Sequence, residues 1–442
     1  MDSFLNITTV RNESADRNIN ELASVYENVE MLTAAIRVIV RTHLTDEIIK
    51  GRKILFKPNW VNHSVNTTDQ FCLRTNDNFI IAALKAILEM GPSNVHIGDA
   101  PIQGCRWDKV VSEYFSEEVN RLSKEYNIPV IIIDFRRRKY IFSENSPSVA
   151  ARPITDYIIF DLGKQSMLES ITEPENTKFR VTNYDPDRML SAHAPGVHKY
   201  CIAKDFFDAD IVISLPKIKT HQKTGITGAL KNIVGINGDK DFLPHHRMGG
   251  TSRGGDCYPG GSFLRYWAEL ALDKANRLQG KKYFWFWQKL SSLLWRLSFP
   301  GFEHSMAAGW HGNDTTWRMV LDLNRIAEYG LIDGTLSEIP QRHIFSLCDG
   351  IIGGQGDGPL EPDPLALGVI SFTNNSAVND NAMAILMGLP ANKIPLLYNI
   401  PPKRKLCRIS LNGREITLDD LKLYSQKAQP PRGWVKYFSQ IQ

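Results

Sequence analysis

Lys217, Lys219, His221 and Lys223 put four cationic or potentially cationic groups within seven residues. Thr224, Gly225, Thr227 and Gly228 follow, then Lys231 and Asn232. Amines and an imidazole at this density suit an anion, and the glycines let a ligand approach the backbone. A helix beginning over Thr224 to Gly228 would add roughly half a positive charge at its free N–H groups. On such a helix Ile226, Leu230, Ile233 and Val234 share one face, whereas Thr224, Thr227, Gly228, Lys231 and Gly235 share another. The Gly-x-x-x-x-Gly-Lys-Ser/Thr spacing of a nucleotide P-loop is absent, which rejects a Walker-type NTPase. The expectation is an anion cradle in which Lys217, Lys219 and Lys231 bind the ligand beside helix-start amides. His221, its pKa depressed by cationic neighbours, is the candidate acid or base.

Other polar groups end apolar runs in the same way. Lys57 and Asn59 follow Ile54-Leu55-Phe56, and Asp99 follows Val95-His96-Ile97-Gly98. Ligands of open α/β sheets bind beyond the carboxyl ends of strands, so these groups are expected to share a crevice with the lysines. Lys57 and Asp99 join His221 as candidate catalytic groups, and Asn59 and Asn232 as ligand contacts. Gly353 to Pro359 carries four glycines within six residues, and Gly356 and Gly358 are expected to present backbone amides. Asp380 reads as a helix cap. His221, His245 and His246, with Asp239 and Asp241, are weak candidates for a divalent metal, because their spacing matches no diagnostic histidine motif.

The elements that must position these groups alternate between strand and helix. Strands are expected at Lys53–Lys57, Asn94–Gly98, Pro129–Ile133, Ala209–Leu215, Ile344–Ile352 and Leu367–Phe372, with helices over Phe79–Met90, Trp107–Tyr126 and Ala377–Met387. This pattern predicts an α/β fold, a mostly parallel open sheet with flanking helices, interrupted by an aromatic-rich helical insertion. The expected organisation is a helical or irregular lead-in over 1–50 and an α/β core over 51–260. That core includes a loop-rich excursion at 136–199 and the anion segment at 209–236. A helical insertion then spans 261–330, the core resumes over 331–395, and a tail without chemical role runs over 396–442.

The chain has 442 residues, 43% of them hydrophobic, enough for a large core. Lys and Arg exceed Asp and Glu by only 52 to 48, which gives no reason to expect nucleic acid as a partner. The first residues lack a basic start and an apolar signal core, and no stretch reads as transmembrane, so a cytoplasmic protein is expected. Six scattered cysteines with no C-x-x-C pair argue against an iron–sulfur cluster, a zinc ribbon or a disulfide scaffold. Between 283 and 297, Trp, Phe and Leu beside Lys and Arg leave three readings open: core, dimer interface or peripheral membrane contact.

Four segments together resemble the family called domain of unknown function 362. They are Ile54–Val61, Ile97–Pro101, Lys217–Gly235, and Gly353–Pro359 followed by Ala377–Asp380. The likeness spans about residues 50 to 395 and implies a fold more than an activity. Many family members carry an attached ferredoxin-like cluster module, and this sequence lacks its cysteines. The expectation is an enzyme acting on a small carboxylate- or phosphate-bearing metabolite, with its reaction class unassigned. The alternative is a non-catalytic module for an anion, a polysaccharide or a lipid headgroup.

Overall fold

β-Branched and aromatic runs pair into one 11-stranded sheet. The computed structural model describes residues 2–10, 18–64, 71–141, 148–173, 178–298, 308–400 and 407–440. In chain order the strands of this sheet are β1 (Phe4–Thr9), β2 (Lys53–Pro58), β3 (Asn94–Asp99), β4 (Val130–Asp134), β5 (Ile211–Leu215), β6 (Lys217–His221), β7 (Gly225–Thr227), β8 (His343–Asp357), β9 (Glu361–Thr373), β10 (Arg408–Leu411) and β11 (Arg414–Glu415). Their spatial order is β11-β10-β1-β9-β8-β5-β2-β3-β4, with β6 branching from β8 and carrying β7. β4, β3, β2, β5 and β8 are parallel, β9 runs against both β8 and β1, and β11 runs against β10. The result is a mostly parallel α/β sheet, as the alternation predicts.

Successive strand residues point to opposite faces, and both faces are covered. Ile54, Phe56, Ile211 and Ile213 pack into one core, and Leu55 and Val212 into the other. Helices Val29–Arg41 and Asp77–Leu88 cover the first face; Thr316–Tyr329 and Ser376–Leu386 cover the second. Double coverage explains why the central strands read as continuous apolar runs.

The 209–236 segment departs from the expected strand, loop and helix. After Pro216 the chain enters a second strand, β6, which turns at 222–224 into β7. Gly225, at φ +79°, makes the turn possible. The helix that follows is only Ala229–Asn232, and its first amides are taken: the Ala229 and Leu230 N–H groups donate to Asp380 at 2.7 and 2.9 Å. Asp380 is thus a cap delivered from another helix, and its carboxylate fills the place expected for a ligand.

Other expectations also change. Gly353 to Asp357 is the end of β8, laddered to β9 through Asp357↔Glu361, because its alternation is hidden where the outward residue is glycine. The lead-in contributes β1, a strand inside the main sheet. The helix expected over 107–126 is two, Trp107–Val110 and Glu113–Tyr126, the second capped by Ser112. The helical insertion is the pair Phe263–Arg277 and Phe284–Leu297, whereas Thr316–Tyr329 belongs to the layer that buries Trp317, Val320 and Leu323. The tail adds β10 beside β1; its opening run, Pro401–Lys405, lies outside the described residues.

Trp434 ties that tail to the β6–β7 hairpin. Its ring is fully buried and its indole N–H donates to the Gln222 carbonyl at 2.6 Å. Replacing Trp434 by Ala is expected to lower stability by about 3–5 kcal/mol in urea unfolding, the usual cost of deleting a buried aromatic. A change below about 1 kcal/mol would show that the tail does not brace the hairpin.

Candidate functional site

The strand-end lysines differ in what surrounds their ammonium groups. Lys57, at the end of β2, is fully buried and uses three donors: Asp99 Oδ1 at 2.7 Å, the Pro58 carbonyl at 2.8 Å and Asn232 Oδ1 at 3.1 Å. Asp99 is equally committed, accepting the Ala100 N–H on Oδ1 and the Trp60 N–H on Oδ2. Asn232 completes the junction by donating to the Lys57 carbonyl and to Ser214 Oγ, both at 2.9 Å. Burial pulls the Lys57 ammonium below the ordinary lysine range, and Asp99 draws it back. With these bonds made, Lys57 and Asn232 have no hydrogen left aimed at a ligand. The proposed proton-handling roles of Lys57 and Asp99 do not fit this geometry.

Lys217 is held in the same way. Its ammonium lies 3.0 Å from Asp349 Oδ2 and 3.0 Å from the Tyr26 hydroxyl, and that hydroxyl donates to Asp349 Oδ1 at 2.5 Å. The triad is buried throughout and separates Lys217 from any anion. Lys219 donates to the carbonyls of Leu73 and, at 3.0 Å, Pro359. Carbonyls leave its charge uncompensated, and burial lowers its pKa to about 7. The glycine-rich segment therefore serves by close approach: a Cβ on Gly354 would crowd Lys219, and one on Gly358 would strike the Thr220 carbonyl. The Gly356 N–H goes to the Gln429 carbonyl and that of Gly358 to Gly356, so neither is offered to a ligand.

The remaining cations form a different group. Lys223 and Lys231 are partly buried, and among the described residues neither ammonium makes a hydrogen bond or an ion pair. Burial lowers the pKa of Lys231 to about 7 and of Lys223 to about 8, and the charges of Lys240, Lys223 and Lys57 depress Lys231 further. Lys240, bonded only weakly to the Asn237 carbonyl at 3.4 Å, is lowered to about 8. Burial, then Lys231, Lys223 and Lys219, push the His221 imidazole well below its ordinary value; burial, then Lys223 and Lys231, do the same to His245. These mutual effects place the lysines and both histidines in one neighbourhood.

The two histidines are in opposite tautomers. His221 Nδ1 accepts the Lys223 and Thr224 N–H groups at 3.0 and 3.3 Å, so the neutral ring carries its proton on Nε2. His245 Nδ1 sits 2.7 Å from the Leu243 carbonyl and must donate to it, which leaves an unbonded lone pair on Nε2. Neutral His221 thus offers a hydrogen-bond donor at Nε2, and His245 an acceptor at Nε2. Thr224 Oγ1 bonds the Ile226 carbonyl at 3.0 Å, and Gly228 packs under Asp380. Thr227, across the ladder from Lys219, keeps a buried hydroxyl without a partner, as Asn59 keeps an unpartnered carbonyl oxygen. Lys223 was visible in the sequence as part of the run. Lys240, Tyr26 and Asp349 gave no local signal.

The α/β sheet thus gathers several buried or partly buried lysines, with two neutral histidines among them, beyond its central strands. The chain belongs to the family described as domain of unknown function (DUF362), whose profile matches residues 146–384. No curated protein matches the sequence. Among solved structures it is similar to the crystal structure of a protein from Thermotoga maritima, at 10% identity and a TM-score of 0.35. That alignment covers 80% of this chain and 56% of the other, so the chain spans little more than half of the protein it matches.

The contrast between paired and unpaired lysines has a direct consequence for stability. Lys217→Ala strands a buried Asp349 carboxylate and is expected to cost about 3–5 kcal/mol in chemical denaturation. Lys231→Ala removes an uncompensated charge and is expected to leave stability unchanged or higher. Equal losses in the two variants would contradict this division.

Proposed function

We propose that this protein is an enzyme acting on a small polyanion, phosphate- or carboxylate-bearing, bound by Lys223 and Lys231 with His221 donating from Nε2. The observation that carries this reading is the pair of partly buried ammonium groups that have no hydrogen-bond or ion-pair partner among the described residues, set among further cations. Like charges held together out of water are unfavourable alone, and an anion removes the penalty. Lys219 and Lys240 enlarge the positive field, while Lys57, already neutralised by Asp99, frames it. His245 Nε2 supplies an acceptor beside the bound anion, so the group contains a donor, an acceptor and a charge clamp. These are the parts that general acid–base chemistry on a bound anion needs.

Binding and pH are linked through the lysines. The folded pKa values of about 7 for Lys231 and about 8 for Lys223 lie below the 10.5 of a free lysine. Between about pH 7 and pH 10 the unfolded chain therefore holds more protons, and the stability of the ligand-free protein rises with pH across that window. A bound anion keeps both lysines protonated, so its stabilising effect is greatest near pH 7 and fades toward pH 9. Thermal melts with inorganic phosphate, diphosphate and citrate are expected to show this pattern, and Lys223→Ala with Lys231→Ala to abolish it. The reading fails if no anion shifts the melt, or if the shift survives in the double variant.

A second reading, docking at a membrane surface, draws on the inserted helices. Trp285, Phe286, Leu293 and Leu297 are 49%, 58%, 52% and 62% exposed, and Lys289 and Arg296 are exposed among them. Apolar and aromatic groups interleaved with cations suit the interface of an anionic bilayer. Among the described residues no helix is long and apolar enough to cross a membrane. In flotation assays the protein is expected to bind vesicles containing phosphatidylserine over neutral ones, and Trp285→Ser with Phe286→Ser to lower binding by about tenfold or more. Absence of binding to either vesicle removes this reading and leaves the anion site untouched.

A further inference from the structure

Beside the lysine group, three side chains of unlike chemistry converge. A ring nitrogen of His246, the sulfur of Cys257 and a carboxylate oxygen of Glu269 all lie within 4.8 Å of one another. Each comes from a separate element. His246 is on the short strand His246–Arg247, which pairs with Phe179–Arg180. Cys257 is anchored by its N–H to the Gly249 carbonyl at 3.1 Å, and Glu269 projects from the buried face of helix Phe263–Arg277.

All three residues are more than nine-tenths buried, at 5%, 0% and 5% exposure. A buried imidazole ordinarily bonds through at least one nitrogen. Among the described residues His246 makes no side-chain hydrogen bond, and its Nδ1 is fully enclosed without a partner there. Glu269 is oriented by the Gly249 N–H, which reaches its two oxygens at 3.2 and 3.0 Å, and the Cys257 thiol hydrogen-bonds the same carboxylate. A cleft of about 20 Å³, room for one ion or water, is lined by His246, Glu269, Met248, Thr182, Arg180 and Asp273. Arg180 is paired there with Asp273 at 3.1 Å.

We propose that His246, Cys257 and Glu269 form a binding site for a single zinc ion. Nitrogen, sulfur and oxygen donors suit zinc, whose ligands sit about 2.0–2.3 Å from the ion. Donor atoms in such a shell lie under about 4 Å apart, so a spread of up to 4.8 Å closes by small side-chain adjustments. On binding, the sulfur–hydrogen bond of Cys257 is replaced by a sulfur–zinc bond, and the proton leaves to buffer. Three protein ligands leave one coordination position, the arrangement of zinc sites that take up water or another ligand. Lys223 lies close enough for its charge to act on Cys257, so the three residues border the lysine group. The site stands on its own residues and does not depend on the anion reading.

The full chain, loaded with Zn²⁺ and freed of excess by gel filtration, is expected to retain about one zinc per chain by elemental analysis. With Co²⁺ in its place, a near-ultraviolet thiolate-to-cobalt band and visible tetrahedral bands are expected. Cys257→Ser removes the thiolate band, and His246→Ala and Glu269→Gln each weaken affinity by more than about tenfold, the loss typical even of outer-shell changes. Circular dichroism checks that the variants fold. If they do not, the cobalt spectrum of the unaltered protein decides. A folded, unaltered protein without a thiolate-to-cobalt band, or zinc uptake that persists in Cys257→Ser, overturns the proposal.

Discussion

The buried contact between Lys57 and Asp99 is the constraint around which the site is arranged. It joins the ends of β2 and β3 and, through Asn232, binds both to the short helix after the β6–β7 hairpin. Gly235 makes the junction possible, since a Cβ there would overlap the Asp99 carboxylate and crowd the Lys57 ammonium. A buried ion pair adds little net stability compared with apolar packing, but losing one member is costly. Its effect is therefore to hold the 229–240 segment in one position. That segment carries Lys231 and Lys240.

Lysines of one short stretch thus meet opposite fates. Lys217 lies against Asp349 and the Tyr26 hydroxyl, and Lys219 against two carbonyls, while Lys223 and Lys231 have no hydrogen-bond or ion-pair partner among the described residues. Desolvation acts on all four, and for Lys217 the Asp349 carboxylate offsets part of it. The imbalance is local: the whole chain is nearly neutral, with 52 basic against 48 acidic residues. Opposite tautomers of His221 and His245 then give the cluster a hydrogen-bond donor and an acceptor at neutral charge.

The inserted helices connect this interior to the surface. Helix Phe263–Arg277 buries Glu269 and Asp273 on one side and exposes Phe263 and Trp267 on the other. Its inner face completes the His246 and Cys257 group near Lys223, while its outer face continues into the aromatic surface of Phe284–Leu297.

Much of the fold was legible because hydrophobic period is a local property. The runs at 53–57, 94–98 and 209–215 each declare a strand within five or seven residues, and Asp77–Leu88 declares a helix by its apolar density. The gathering of cations after Pro216 was equally plain. What no local pattern could reveal was pairing: Asp349 lies 132 residues from Lys217 and 323 from Tyr26, and Asp380 reaches its capped amides across 150. Glycines hid the end of β8 because they have no side chain to alternate. The sequence by itself determined the layered α/β sheet and the density of positive charge at its strand ends. Only the tertiary structure decided which charges are neutralised and which stay unpaired among the described residues, because neutralisation depends on groups brought together from distant parts of the chain.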